Sequence, residues 1–142
     1  MNTVRQLLES KGQEIFAIEP DQPVLAALQM MADHHCGALL VMHGAELKGL
    51  ISERDYARKV ILMGRSSAET AVWEVMSPEL HTVNPDRTVH GCMKLMTERR
   101  IRHLPVVEDG KVIGVLSIGD LVKAVIEEQQ QEIAQLQAYI SG

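Results

Sequence analysis

Residues 102–121 read RHLPVVEDGKVIGVLSIGDL. Two apolar runs, 104–107 and 112–116, flank Asp109-Gly110. Asp-Gly is the dipeptide of a tight hairpin, because Gly takes positive φ without steric cost. Two strands and a turn are therefore predicted. A polar knuckle follows, Ser117-Ile118-Gly119-Asp120, where a helix should begin. The same order of residue types stands 65 residues earlier, from Leu39 to Tyr56, and ends in Ser52-Glu53-Arg54-Asp55.

The duplication extends well beyond the knuckle. Pro20/Pro85, Asp21/Asp86, Val24/Val89, Met31/Met96, Leu39/Leu104 and Val41/Val106 are identical at that one offset. So are Gly49/Gly114, Ser52/Ser117, Asp55/Asp120, Val60/Val125 and Ile61/Ile126, and the register needs no gap. Ordinary usage would match only about one position in seventeen by chance, so the chain is an internal repeat. In each copy an apolar helical face recurs: Val24, Ala27, Leu28 and Met31, then Val89, Cys92, Met93 and Met96. Asp21 and Asp86 stand where they would cap those helices. Strands are predicted at 14–18 and 80–83, each stopped by proline, and at 39–42 and 47–51. A helix is predicted from Ser52 through Met63. Each copy thus runs strand, helix, strand, strand, helix. Neither half is long enough to bury its apolar faces alone, so the two should pack together. Residues 1–64 form repeat 1 with a short lead-in helix (Val4, Leu7, Leu8, stopped at Gly12), and 65–127 form repeat 2. The lead-in is too brief to persist without docking on something.

Composition narrows the function. Aromatics make up 3% of 142 residues against 46% hydrophobic, so the core must be aliphatic and Met-rich. A net charge of −5 argues against nucleic acid and anionic membrane as partners, since both demand a positive field. No apolar run approaches a membrane span and no export signal is visible, which points to the cytoplasm. Cys36 and Cys92 form no CxxC and sit among core-like residues, as reduced thiols would. Residues 128–142 continue a helix beyond the repeat, and a stripe through Val122, Val125, Ile126, Gln129, Ile133, Leu136 and Ile140 outlasts it. Such a stripe fits a homodimer contact, or a segment folding back on its own module.

Ser-x-x-Asp at a helix start is a capping box, stabilising and inert. Its recurrence after Gly49 and Gly114 supports a second reading. There the backbone turns from strand to helix start, where amides and the helix dipole can meet a phosphate beside the Ser hydroxyl. The Asp carboxylate can accept hydrogen bonds from a ribose diol. Arg54, Arg99, Arg100, Arg102 and His103 supply cations.

These residues resemble a tandem pair of CBS domains, the modules named after cystathionine β-synthase. The resemblance is carried by Val75-Met76-Ser77-Pro78, His103-Leu104-Pro105-Val106-Val107, Gly114–Asp120 and Gly49–Asp55. It covers residues 8–127. It implies an α+β fold of two β-α-β-β-α repeats with pseudo-twofold symmetry, packed through their sheets, and two clefts for adenosyl nucleotides. Carried over residue by residue, Ser52, Arg54 and Asp55 would hold one ligand's ribose and phosphate. Met76, Pro78, Val83, Ile101 and the Arg102 backbone would face its adenine. The second ligand would take Ser117, Gly119 and Asp120 with Gly12, Gln13, Ile18, Cys36 and Gly37, and Arg102 and His103 could reach phosphates. The first copy departs from the pattern, with Ser10-Lys11-Gly12-Gln13 and Gly37-Ala38-Leu39-Leu40 standing where the second has Val-Met-Ser-Pro and Arg-His-Leu-Pro. The two sites should therefore differ.

The expected function is regulatory and energy-sensing: AMP, ADP, ATP or NAD(H) bound without catalysis, altering self-association or an unidentified protein partner. No nucleophile–base pair, paired catalytic carboxylates or GxxxxGK loop is present. A nucleotide-independent scaffold is the binding-only rival. A metal-dependent nucleotide enzyme using His34 and His35 is the catalytic one, though adjacent helical side chains diverge and no fourth ligand is apparent.

Overall fold

Thr3 and Gln6 cap each other reciprocally, and a helix starts there. In this computed structural model, which describes residues 2–12 and 14–141, the chain runs α1 (Val4–Lys11), β1 (Ala17–Ile18), α2 (Val24–His34), β2 (Ala38–His43) and β3 (Glu46–Ser52). Then come α3 (Glu53–Tyr56), prolonged by a π-helical turn (Ala57–Ile61), α4 (Val72–Val75), α5 (Val89–Arg99), β4 (His103–Glu108), β5 (Lys111–Ser117) and α6 (Ile118–Ser141). The fold is mixed α+β with two small sheets, β1-β2-β3 and β4-β5.

Both hairpins form as the sequence predicts. Asp109 and Gly110 take φ of 52° and 77°, the paired positive values of a type I′ turn. The earlier hairpin turns at Gly44, φ 60°. Each ladder shifts register at the same place, after Val41 and after Val106. Helices α2 and α5 end alike, His35 and Arg100 both adopting the left-handed conformation. Their apolar faces are buried at Val24, Ala27 and Met31, and at Val89, Cys92 and Met96.

Several expectations need correction. The strand predicted at 14–18 is only Ala17–Ile18, pairing parallel with Leu40 and Val41. That at 80–83 shrinks to one bridge between Val83 and Val106, because Pro85 breaks the chain two residues on. Asp21 and Asp86 do not cap. The Thr88 hydroxyl accepts from the Gly91 amide at 2.9 Å, and the Val24 amide donates to the Thr70 carbonyl at 2.8 Å. The helix after Ser52 widens, with the Leu62 amide reaching back five residues to the Ala57 carbonyl at 3.1 Å.

The chain divides into two compact units, Met1–Glu14 with Thr82–Gly142, and Ile15–His81. The sequence repeat and the packed unit are thus divided differently. Helix α1 precedes repeat 1 but buries Val4, Leu7 and Leu8 in one core with Val89, Met96, Leu104 and Leu116 of repeat 2. Helix α4 precedes repeat 2 but buries Val72 and Val75 with Val24, Leu39 and Ile51 of repeat 1. In the first unit, Leu8 lies where a Cβ on Gly114 would come within 2.7 Å of its side chain. In the second, Met76 Sδ and the Ser77 carbonyl would each lie 2.9 Å from a Cβ on Gly49. Leu8 and Met76 are therefore equivalent at a spacing of 68 residues, three more than the repeat, because α1 continues another turn to Lys11. The gapless register holds for the repeats but not for their lead-ins, so Ser10–Gln13 is not the counterpart of Val75–Pro78.

The two glycine contacts predict unequal substitutions. A Cβ at Gly49 meets a backbone carbonyl, whereas at Gly114 it meets the movable end of Leu8. Gly49→Ala should destabilise by about 1–3 kcal/mol and Gly114→Ala by clearly less. Urea denaturation of both variants checks this, and the reverse order would contradict it.

Candidate functional site

Each knuckle is built by a strand handing over to a helix. Ser52 ends β3 with an extended backbone (φ −122°) and its hydroxyl accepts from the Asp55 amide at 3.1 Å. The Ser52 amide donates back to Asp55 Oδ2 at 2.9 Å and its hydroxyl to the same oxygen at 3.0 Å. Asp55 Oδ1 accepts from the Ser77 hydroxyl at 3.3 Å and faces Lys59 Nζ at 3.5 Å. The Lys59 ammonium also donates to the Val75 carbonyl at 3.0 Å.

The second knuckle repeats the cap with different neighbours. The Asp120 amide donates to the Ser117 hydroxyl at 3.1 Å, and the Ser117 amide to Asp120 Oδ2 at 2.8 Å. Lys11, at the end of α1, donates to Asp120 Oδ2 at 2.7 Å and to the Val115 carbonyl at 2.8 Å. Burial alone would raise the Asp120 carboxyl. The Lys11 and Ser117 hydrogen bonds and the Lys11 charge outweigh it and hold the group below the usual aspartate range. His103, opposite Ser117 in the ladder, goes the same way for another reason. Burial pushes it below the ordinary histidine value, Asp120 opposes, and Arg102 and Lys11 push it further down. Burial likewise raises the thiols of Cys36 and Cys92.

The expected anion site is narrower than a bare helix start. The Glu53 amide donates to the Gly37 carbonyl at 3.0 Å, and the Ile118 amide to the Arg102 carbonyl at 2.8 Å. With the third amides used by serine, Arg54 and Gly119 keep the unpartnered amides of these first turns among the described residues. Arg54, Arg102, Pro78, Gly12 and Gly119 are exposed, Met76, Cys36, Gly37, Ile101 and His103 half-buried. Ile18 and Val83 are buried in the cores of their units. Gln13 lies outside the described residues. Ser52, Arg54, Asp55, Met76, Pro78, Ile18, Cys36 and Gly37 belong to one unit, and Gly12, Val83, Ile101, Arg102, His103, Ser117, Gly119 and Asp120 to the other. Sequence reasoning missed Ser77, Lys59 and Lys11 as partners of the aspartates. Lys59 was legible as the i+4 neighbour of Asp55.

Elsewhere, His34 stacks on Phe16 with ring centroids 3.9 Å apart, and His35 occupies the left-handed position ending α2. No group of three or more His, Cys, Asp or Glu placed to hold a metal occurs among the described residues. Among the described residues, no helix is long and apolar enough to cross a membrane.

The duplicated hairpin, knuckle and lead-in coincide with two matches to the CBS domain model, at residues 4–61 and 72–127. The chain belongs to the CBS-domain family. This CBS pair is 43% identical to the mitochondrial CBS domain-containing protein CBSX3 of Arabidopsis thaliana, over 99% of the chain and 72% of that protein. It is 48% identical to a signal-transduction protein with CBS domains from Burkholderia ambifaria, whose structure matches with a TM-score of 0.87 over 89% of this chain and 96% of that one. The CBS pair of protein MJ0100, solved with 5′-methylthioadenosine and S-adenosyl-L-methionine, shares the fold at a TM-score of 0.78 and 20% identity, covering 89% of this chain and 97% of that one. These relatives are named as CBS domain-containing or signal-transduction proteins.

The depressed His103 sets a pH dependence. The unfolded chain takes up its proton near pH 6.5, while the fold resists protonation until lower pH. Stability from this group is present above 6.5 and is lost as pH falls through the folded value. Over that window the slope approaches but cannot exceed about 1.4 kcal/mol per pH unit. Chemical denaturation from pH 7.5 to 5 should show the loss, and His103→Gln should flatten it. An unchanged slope in the variant would contradict the assignment.

Proposed function

We propose that this CBS pair is a non-catalytic regulatory module binding adenine nucleotides, AMP, ADP, ATP or NAD(H), at its two knuckles. Ser52, Arg54 and Asp55 hold the ribose and phosphate of one ligand. Ser117, Gly119 and Asp120 hold the other, with Arg102 and His103 near its phosphates. Occupancy then changes self-association as a homodimer, or a surface read by a partner protein, in the cytoplasm.

One observation carries this reading. At each helix entrance a part-buried aspartate, fixed by its own cap, stands beside a first-turn amide, at Arg54 and Gly119, that has no partner among the described residues. A fixed acceptor next to a fixed donor suits a diol and a phosphate on one molecule, and holding both in place before binding lowers the ordering cost. Family membership and the adenosyl ligands of MJ0100 support it. The scaffold reading has its own observation, since both Ser-x-x-Asp boxes are already closed as caps.

Thermal and calorimetric titration separates the two. A nucleotide at 100-fold over its Kd should stabilise the protein by about 2.7 kcal/mol. Asp55→Asn with Asp120→Asn keeps an oxygen for the cap but removes the charged acceptor, so affinity should fall roughly 10-fold or more. No stabilisation by any of the four nucleotides, or full affinity in the double variant, would favour the scaffold.

A further inference from the structure

The CBS match ends at Glu127, but α6 continues to Ser141. Every residue from 129 to 141 is exposed. A helical segment of this length is marginal in water without a packing partner. Its side chains are nonetheless spaced for one. Ile126, Ile133 and Ile140 recur every seventh residue, with Val122, Gln129 and Leu136 three residues after the same position in each heptad. Exposure along this seam is 48% at Ile126, 54% at Ile133, 62% at Leu136 and 81% at Ile140. The face of α6 that its own core uses, Leu121 and Ala124, is a different one.

Charge and chain geometry select the occupant. No Gly or Pro interrupts residues 120–141, so α6 has no hinge by which to fold back. An anionic lipid surface fits poorly, because the tail carries Glu127, Glu128 and Glu132 and no Lys or Arg after Lys123. Of the flanking e positions, Gln130 and Gln137 are neutral and Lys123 would face Ile118, while Glu132 at g would face Gln137, so two copies of this acidic chain can meet without like-charge opposition. Isoleucine at all three a positions favours two strands, Leu136 at d agrees with it, and a single polar layer at Gln129 favours one register. We propose that residues 122–140 pair with the same segment of a second copy as a parallel, in-register coiled coil, with Gln129 as its polar layer. At 1.5 Å per residue the seam is about 27 Å long. The seam contains none of the residues proposed to hold nucleotide, so loss of pairing and loss of nucleotide binding are separately measurable.

Cysteine cross-linking of the full chain tests it, in a Cys36→Ser background that removes the half-buried thiol. Leu136→Cys at the seam should oxidise largely to a covalent dimer, whereas Gln131→Cys on the outer face should do so several-fold less at equal concentration. Adding Ile133→Asp should cut the Leu136→Cys product several-fold while circular dichroism shows the CBS pair still folded. No dimer through Leu136→Cys, or equal yields at both positions, would overturn the proposal, as antiparallel pairing or a foreign partner would give.

Discussion

Leu8 against Gly114, and Met76 with Ser77 against Gly49, are the contacts that close the two units. Neither a two-stranded hairpin nor an eight-residue helix is stable in water by itself. Each needs the other, and a glycine in the strand lets them approach. In the Ile15–His81 unit the approach is close enough for backbone pairing, the Ser77 amide donating to the Leu50 carbonyl at 2.9 Å and the Leu50 amide to the Ser77 carbonyl at 3.2 Å. In the other unit the lead-in buries Val4, Leu7 and Leu8, and its backbone pairs with the segment before α5 rather than with the strand, the Val4 amide donating to the Arg87 carbonyl at 2.9 Å and the Val89 amide to the Asn2 carbonyl at 2.8 Å. Each such burial contributes about 1.5–3 kcal/mol, against a loop-closure cost that grows only slowly with chain length. A helix can therefore join elements some eighty or more residues away.

The same lead-ins decide what happens at the knuckles. A serine and an aspartate three residues apart make a self-contained cap, and nothing in that pair alone calls for a ligand. What the lead-ins add is a partner from outside the knuckle for each carboxylate: Ser77 for Asp55, Lys11 for Asp120. Each carboxylate is thereby held both by its own knuckle and by a segment distant in sequence, which fixes its position. Fold and candidate site are joined through one side chain at each end of the chain's repeat.

Much of this was legible in the residues. Asp109-Gly110 named its turn, the apolar faces of α2 and α5 named their buried positions, and the Ser-x-x-Asp spacing named the helix starts. The lead-in packing was not legible. Periodicity shows that Val4, Leu7 and Leu8 seek a surface, but not which repeat supplies it, because both offer a glycine at the equivalent strand position. The constant offset concealed the three-residue slip for the same reason, since α1 and α4 share few identities to reveal it. The caps misled differently. Asp21 and Asp86 have the right chemistry, but Thr88 and the Thr70 carbonyl lie closer to the amides that need partners. The strands expected at 14–18 and 80–83 are shorter in the fold, because an apolar run before proline looks the same whether it pairs once or five times.

Lys11 and Ser77 make the knuckles unequal in a way that bears on ligands. Around Asp55 both carboxylate oxygens are occupied, Oδ2 by Ser52 and Oδ1 by Ser77 with Lys59 beyond it. Around Asp120 the Ser117 amide and the Lys11 ammonium share Oδ2, and Oδ1 has no hydrogen-bond partner among the described residues. A diol approaching Asp120 would meet an open acceptor with an ammonium alongside, so a hydroxyl and a phosphate on one ligand would find complementary groups close together. A diol approaching Asp55 would have to share Oδ1 with the Ser77 hydroxyl or displace it. Displacing a neutral hydroxyl costs less than separating an ion pair, yet it leaves that hydroxyl in need of a partner. The two entrances, identical in their serine and aspartate, therefore pose different binding problems, and the difference was written into residues 11 and 77 rather than into the repeated motif itself.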